Sequence, residues 1–262
     1  MKLPIYQIDA FAPRTFQGNP AAVCPLEAWL PDEILQAIAE ENNLAETAFY
    51  VEKESAYELR WFTPTKEVDL CGHATLAAAH VIFENNGLNR NEITFHSKSG
   101  LLGVTKCGEL LELDFPIQAG VPCEPPAALI EGLGKVPSQC FKGMDYMAVY
   151  KDEATIRSLS PDFTKLRELN LRGVIVTAPG KSSDFVSRFF APNFGINEDP
   201  VTGSAHCAMT PYWADRLGKS DMMATQLSRR TGQLRCRLSK DRVLIAGKTI
   251  AYLKGDIELN RD

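Results

Sequence analysis

What this 262-residue chain lacks narrows its possibilities first. It has no excess of positive charge: 28 Lys and Arg stand against 33 Asp and Glu, for a net charge of −5 and a pI near 5.5. A nucleic acid or an anionic membrane finds no electrostatic footprint here, and neither is expected as a partner. No apolar run is long enough to cross a bilayer, and the start, MKLPIYQIDAF, lacks the apolar stretch of a signal peptide, so a soluble cytoplasmic protein is expected. The seven cysteines are odd in number and contain no Cys-x-x-Cys pair, which speaks against a disulfide framework or zinc knuckle and for free thiols in a reducing compartment. The four histidines form no His-x-His or His-Glu-x-x-His, so no metal is expected. Gly247-Lys248-Thr249 and Gly180-Lys181-Ser182 end like phosphate loops, but Arg242 and Ile175 stand where the leading glycine is required. No Gly-x-Gly-x-x-Gly follows a strand, so no nicotinamide cofactor is indicated either. What remains is a cofactor-free protein with a small molecule as its default partner.

What is present is an ordinary globular composition, 45% hydrophobic and 23% charged, and one pattern that occurs twice at an offset of about 130 residues. Pro31 opens PDEILQAIAEENN and Pro161 opens PDFTKLRELN. Arg60-Trp61-Phe62-Thr63-Pro64 recurs as Arg188-Phe189-Phe190-Ala191-Pro192, an aromatic strand closed by a proline that cannot continue a sheet. Gly72-His73-Ala74 answers Gly203-Ser204-Ala205, and each opens an apolar helix ending at Gly87 or Gly218. Ser99-Gly100 and Thr231-Gly232 then precede a strand, a polar turn and another strand. Each half reads as strands, a short amphipathic helix, strands, a central helix and a hairpin, an α+β, mostly antiparallel class. The first central helix, with Ala74, Leu76, Ala77, Ala78, Ala79, Val81, Ile82 and Phe83, has almost no polar face and is expected to be buried inside a wrapped sheet. Pro116, Pro122, Pro125, Pro126 and Pro137 mark a linker, which places the domains at 1–118 and 119–262, with the last strand free to pack back on the first domain.

In both halves the central helix starts at a glycine, and the free N–H groups and positive dipole end of a buried helix suit an anion such as a carboxylate. Gly72 and Gly203 serve close packing equally well, and Ser204 serves as a helix cap. The halves differ at Glu46, in Asn43-Leu44-Ala45-Glu46-Thr47-Ala48-Phe49, because the matching Arg172-Gly173-Val174-Ile175-Val176 contains no acid. An apolar setting would raise a carboxyl's pKa towards the working pH of a proton carrier; the plainer alternative is a solvated glutamate at a strand entrance. The second half is also longer between Pro192 and Gly203, where Asp199 could pair with His73, position a substrate or sit in a solvated turn. His73 alone reads more simply as a hydrogen-bonded core histidine.

Taken together, NLAETAFY, DLCGHATLAAA and EDPVTGSA, with IDAF and GNPAAV before them, resemble the motifs of PhzF-like proteins, relatives of diaminopimelate epimerase, over most of the chain. The resemblance implies two domains, each a mostly antiparallel β-barrel around a central helix, with an active site in the cleft between them, and a homodimer. It implies Glu46 as the catalytic acid/base, with His73, Asp199 and Ser204 lining the pocket and the amides of the Gly72 and Gly203 loops holding a substrate carboxylate. Cys71-Gly72 resembles the first of the two thiol positions in the related epimerases and proline racemases. The partner thiol is missing, since no cysteine lies between Cys140 and Cys207, so Cys71 is expected to be a packed residue. A cofactor-independent isomerase that shifts a proton on a small carboxylate-bearing metabolite is the first expectation. A stereoinverting epimerase or racemase, or a noncatalytic small-molecule binder, are the alternatives.

Overall fold

The computed structural model of the chain describes residues 1–54, 56–85 and 90–260. In chain order its elements begin with β1 (Lys2–Ala10), β2 (Asn19–Leu26), α1 (Asp32–Asn42), β3 (Glu46–Lys53), β4 (Ala56–Phe62) and β5 (Glu67–Val68). There follow α2 (Gly72–Asn85), β6 (Glu92–Ser97), β7 (Gly100–Cys107), β8 (Leu110–Pro116), β9 (Val121–Pro122), α3 (Ala127–Leu133), β10 (Gln139–Lys142) and β11 (Tyr146–Val149). The remainder is α4 (Glu153–Ser158), α5 (Phe163–Leu166), β12 (Val174–Pro179), β13 (Phe185–Phe190), α6 (Gly203–Leu217), β14 (Asp221–Gln226), β15 (Gly232–Ser239), β16 (Arg242–Gly247) and β17 (Thr249–Glu258). No described helix is long and apolar enough to cross a membrane. The chain forms two units, Met1–Asp114 with Ala246–Asp262, and Phe115–Ile245. The division thus falls at 114/115, slightly before the 118/119 read from the prolines, and the last strand lies with the first unit.

In the first unit β17 pairs antiparallel with β1, β1 with β2, β3 with β4, β6 with β7 and β7 with β8, while β2–β3 and β4–β6 are parallel. This sheet packs on α2, whose 14 residues include His73 to Ala79 and Val81 to Phe83 as buried positions. A helix with no solvated face needs walls on every side, and its four alanines let the strands approach closely. In the second unit β10–β11, β12–β13 and β14–β15 are antiparallel, and β11–β12 and β13–β14 parallel. The alternation matches that of β1–β2, β2–β3, β3–β4, β4–β6 and β6–β7 pair for pair, so the repeat in the sequence is a repeat of topology. The 15-residue α6 takes the place of α2 and ends at Gly218 in the left-handed region, φ 63°. The matching Gly87 lies outside the described residues.

The halves diverge at the short amphipathic helix. The first half has α1, with Asp32 and Glu33 complementing its dipole in the first turn. The second has α4, six residues long, and α5, four residues long, and within PDFTKLRELN only Phe163–Leu166 is helical. Pro161 disfavours helix at the residue before it, and Asp152 and Asp162 each accept backbone N–H groups as separate caps.

Candidate active site

Glu46 is placed by the end of α1. Asn43 takes the left-handed conformation, φ 48°, and its N–H closes on the Ala39 and Glu40 carbonyls. Asn42 Nδ2 then donates to the Thr47 hydroxyl at 3.1 Å, so the chain turns into β3 with Glu46 as its first residue, opposite Ala21 of β2. The carboxyl is mostly enclosed, with 13% side-chain exposure.

His73 enters from the first turn of α2. Cys71 precedes the helix, and its carbonyl accepts the Thr75 N–H at 3.1 Å and the Thr75 hydroxyl at 2.6 Å. His73 Nδ1 is 3.3 Å from Asn19 Nδ2 and 3.5 Å from Cys71 Sγ, while Nε2 lies 3.1 Å from Glu46 Oε2. The Nε2–Oε2 approach is that of an ion pair whose angle falls outside hydrogen-bond geometry, since neither atom has an aligned partner. Burial opposes a charged ring, but the interactions with Cys71 and Glu46 outweigh it and hold the imidazole pKa well above its ordinary 6.5. The Cys71 thiol is pushed up, chiefly by burial.

Glu46 therefore converges with Cys71 and His73, and the donor atoms of the three lie within 4.8 Å of one another. The set is a possible metal cluster by composition. Cys71 meets Nδ1 and Glu46 meets Nε2, so the imidazole lies between the thiol and the carboxylate.

In the second unit Gly203 is the first residue of α6 and Ser204 the next. The cap position expected at Ser204 falls instead at Thr202. Ser204 Oγ accepts from Arg172 Nη1 at 3.0 Å, and Arg172 is held by a bidentate pair with the buried Asp145, at 2.9 and 2.5 Å. Asp199 accepts the Thr202 hydroxyl, while His73 takes its neighbours from Asn19, Cys71 and Glu46. Gln226 binds this loop at three points: Oε1 accepts from Thr202 N at 2.9 Å, and Nε2 donates to the Asp199 carbonyl at 2.8 Å and the Thr202 hydroxyl at 3.3 Å. His206 Nδ1 meets the Thr202 carbonyl at 2.8 Å, and burial lowers its pKa to about 4, so it serves the loop as a neutral ring.

The two helix-leading loops share a clamp. Arg60 grips Glu67 at 2.7 and 3.0 Å with its guanidinium 5.1 Å from the Phe62 ring; Arg188 grips Glu198 at 2.7 and 3.0 Å and lies 4.9 Å from Phe190. Sequence reading found the repeated arginines but missed their partners, as it missed Asn19, Arg172, Asp145 and Gln226. The GNP in GNPAAV was the one local signal for Asn19; Gln226 comes from β14, and Asp145 and Arg172 from the loops just before β11 and β12.

The chain has close counterparts in sequence and fold. An uncharacterized isomerase of Pseudomonas aeruginosa is 53% identical over 259 residues, covering 99% of this chain and 100% of its own. A PhzF family protein of Enterococcus faecalis superposes with a TM-score of 0.97 at 47% identity, over 99% of this chain and 100% of that one. A hydroxyproline epimerase of Agrobacterium vitis shares the fold alone, with a TM-score of 0.63 and 9% identity over 98% of this chain and 92% of that one. The family model described as phenazine biosynthesis-like protein matches residues 8–255, and the chain belongs to this PhzC-PhzF family.

Proposed function

We propose that this isomerase moves a proton within a small carboxylate-bearing metabolite without a cofactor, with Glu46 as general acid and base. The observation that carries the reading is the enclosed Glu46 carboxyl facing His73 Nε2 at 3.1 Å. A carboxylate in a sheltered site takes a proton from carbon more readily than a solvated one, and the adjacent imidazole stabilises it between transfers. The amides at Gly72 and Gly203, with Ser204, are assigned to the substrate carboxylate, whose negative charge grows as the proton leaves. Asp199, fixed through Thr202 and Gln226, is assigned to substrate positioning.

Inversion at one carbon is the second reading, and the contact of Cys71 with His73 favours it. Removal and return of the proton by one carboxylate fits the rest, because Asp199-Pro200-Val201-Thr202-Gly203 offers no second thiol. The test is a screen of carboxylates in deuterated water. A product with a new double-bond or proton position that gains deuterium only with active protein supports the shift; racemisation of an enantiopure acid replaces it with inversion. Full activity after chelation and dialysis is part of the same proposal, and a dead apo-protein restored by stoichiometric metal would remove that part. We also propose a homodimer, for which Phe16, Tyr252 and Leu253 supply exposed apolar surface. Sedimentation should report about twice 29.0 kDa, and a monomer overturns this.

A further inference from the structure

We propose that Cys123 and Cys140 form a reversible intramolecular disulfide when the protein meets a peroxide. The two lie 17 residues apart in sequence, yet their sulfurs are 3.7 Å apart. The backbone explains this. Pairs Lys142↔Val121 and Phe141↔Pro122 set the β9–β10 register, which places Cys140 opposite Cys123, and the Cys123 N–H donates to the Cys140 carbonyl at 2.9 Å. Opposed residues of antiparallel strands have Cα atoms about 4.5–5.5 Å apart, inside the range a disulfide spans, so side-chain rotation alone brings the sulfurs to the bonded distance of about 2.05 Å.

Access and reactivity divide between the partners. Cys123 is half-buried and Cys140 is 5% exposed, and both line a surface cavity of ≈ 420 Å³ walled by Pro122, Val136 and Pro137. Burial, with Cys123 beside it, pushes the Cys140 thiol up to about 12, so it waits in its protonated form. Cys123 meets the oxidant. Its thiolate attacks one peroxide oxygen, the O–O bond breaks, and hydroxide leaves from a Cys123 sulfenic acid. The Cys140 sulfur, losing its proton as it attacks, then displaces the hydroxyl as water and closes the S–S bond. Over both steps two thiols and one hydrogen peroxide give one disulfide and two waters. The bond would tie β9 to β10 and close the segment that carries α3, and a thiol reductant reverses it.

The experiment uses the full chain and stepwise hydrogen peroxide. Thiol titration in denaturant should fall from seven to five, with a cross-linked peptide joining Cys123 to Cys140 and full recovery after dithiothreitol. A Cys107→Ser variant should lose the same two thiols, falling from six to four, which separates the pair from the exposed Cys107. In Cys140→Ser the Cys123 sulfenic acid should persist and be trapped by dimedone. Oxidation confined to Cys107, or Cys123 passing to sulfinic acid in the unmutated chain while Cys140 stays a thiol, overturns the proposal.

Discussion

The start of α2 and the start of α6 are one backbone device carrying two chemistries. Each helix opens at a glycine, each follows an Arg–Glu clamp, and in each a side chain four residues on binds the carbonyl before the helix: Thr75 on Cys71, His206 on Thr202. The second helical position then differs. In the first unit it is His73, placed against a thiol and a carboxylate. In the second it is Ser204, placed against the Arg172 guanidinium. The repeated backbone thus presents an imidazole at the start of one central helix and a hydroxyl at the start of the other.

The comparison is broken most severely at Glu46. Glu46→Gln keeps the shape and hydrogen-bonding reach but removes the titratable proton, so turnover should fall by roughly 10² or more while substrate binding survives. Steady-state kinetics beside direct binding measurements separate the two. Equal losses in both would show that Glu46 holds the substrate and does not carry its proton.

The second unit should respond in the opposite sense. Ser204→Ala removes the oxygen that Arg172 engages, and substrate affinity should weaken roughly tenfold, the scale of one charge-assisted hydrogen bond, with kcat little changed. A fall in kcat at constant affinity would move Ser204 from the anion grip into the chemistry.

How far these assignments were legible beforehand depended on where the information lay. Arg60 to Pro64 against Arg188 to Pro192, and the glycines opening the central helices, are local patterns, and they carried both the repeat and the buried helices. Glu46 was legible because it broke that repeat. Asn19, Arg172, Asp145 and Gln226 were not, because their partners are distant in sequence: Asn19 reaches His73 from β2, Gln226 reaches Thr202 from β14, and Arg172 meets Asp145 across the loops before β12 and β11. Cys71 looked like packing and is a neighbour of His73 Nδ1, and the scattered cysteines hid a pair that only the β9–β10 pairing brings together.

A smaller effect sharpens the contrast between a titrating site and a permanent one. The folded-state pKa of His73 lies above its ordinary 6.5, so the stabilisation it supplies is fully present below that value and is lost as pH rises through the higher folded value. His206 is lowered to about 4 and contributes no such loss above neutrality. Urea midpoints measured from pH 6 upwards should decline in the unmutated protein and decline less in His73→Gln. Parallel curves would mean that His73 is not charged in the folded state.

The smallest effect expected is at Cys71. Its thiol is buried and held protonated, and it touches His73 on the nitrogen turned away from Glu46. Replacing it with Ala removes one weak partner of the ring, leaves Asn19 on the same nitrogen, and leaves the Glu46 contact at Nε2 in place. Turnover of Cys71→Ala should therefore stay within about tenfold of the unmutated protein, less than the loss a general acid–base group produces. A thiol mechanism makes the reverse demand, because there the sulfur receives the proton from carbon and no neighbour can substitute for it. Measured on one substrate, an active Glu46→Gln beside a dead Cys71→Ala would transfer the chemistry from the carboxylate to the sulfur. The first unit would then owe its difference from the second to the residue before the helix, and Glu46 would be reduced to the counter-ion that keeps His73 charged.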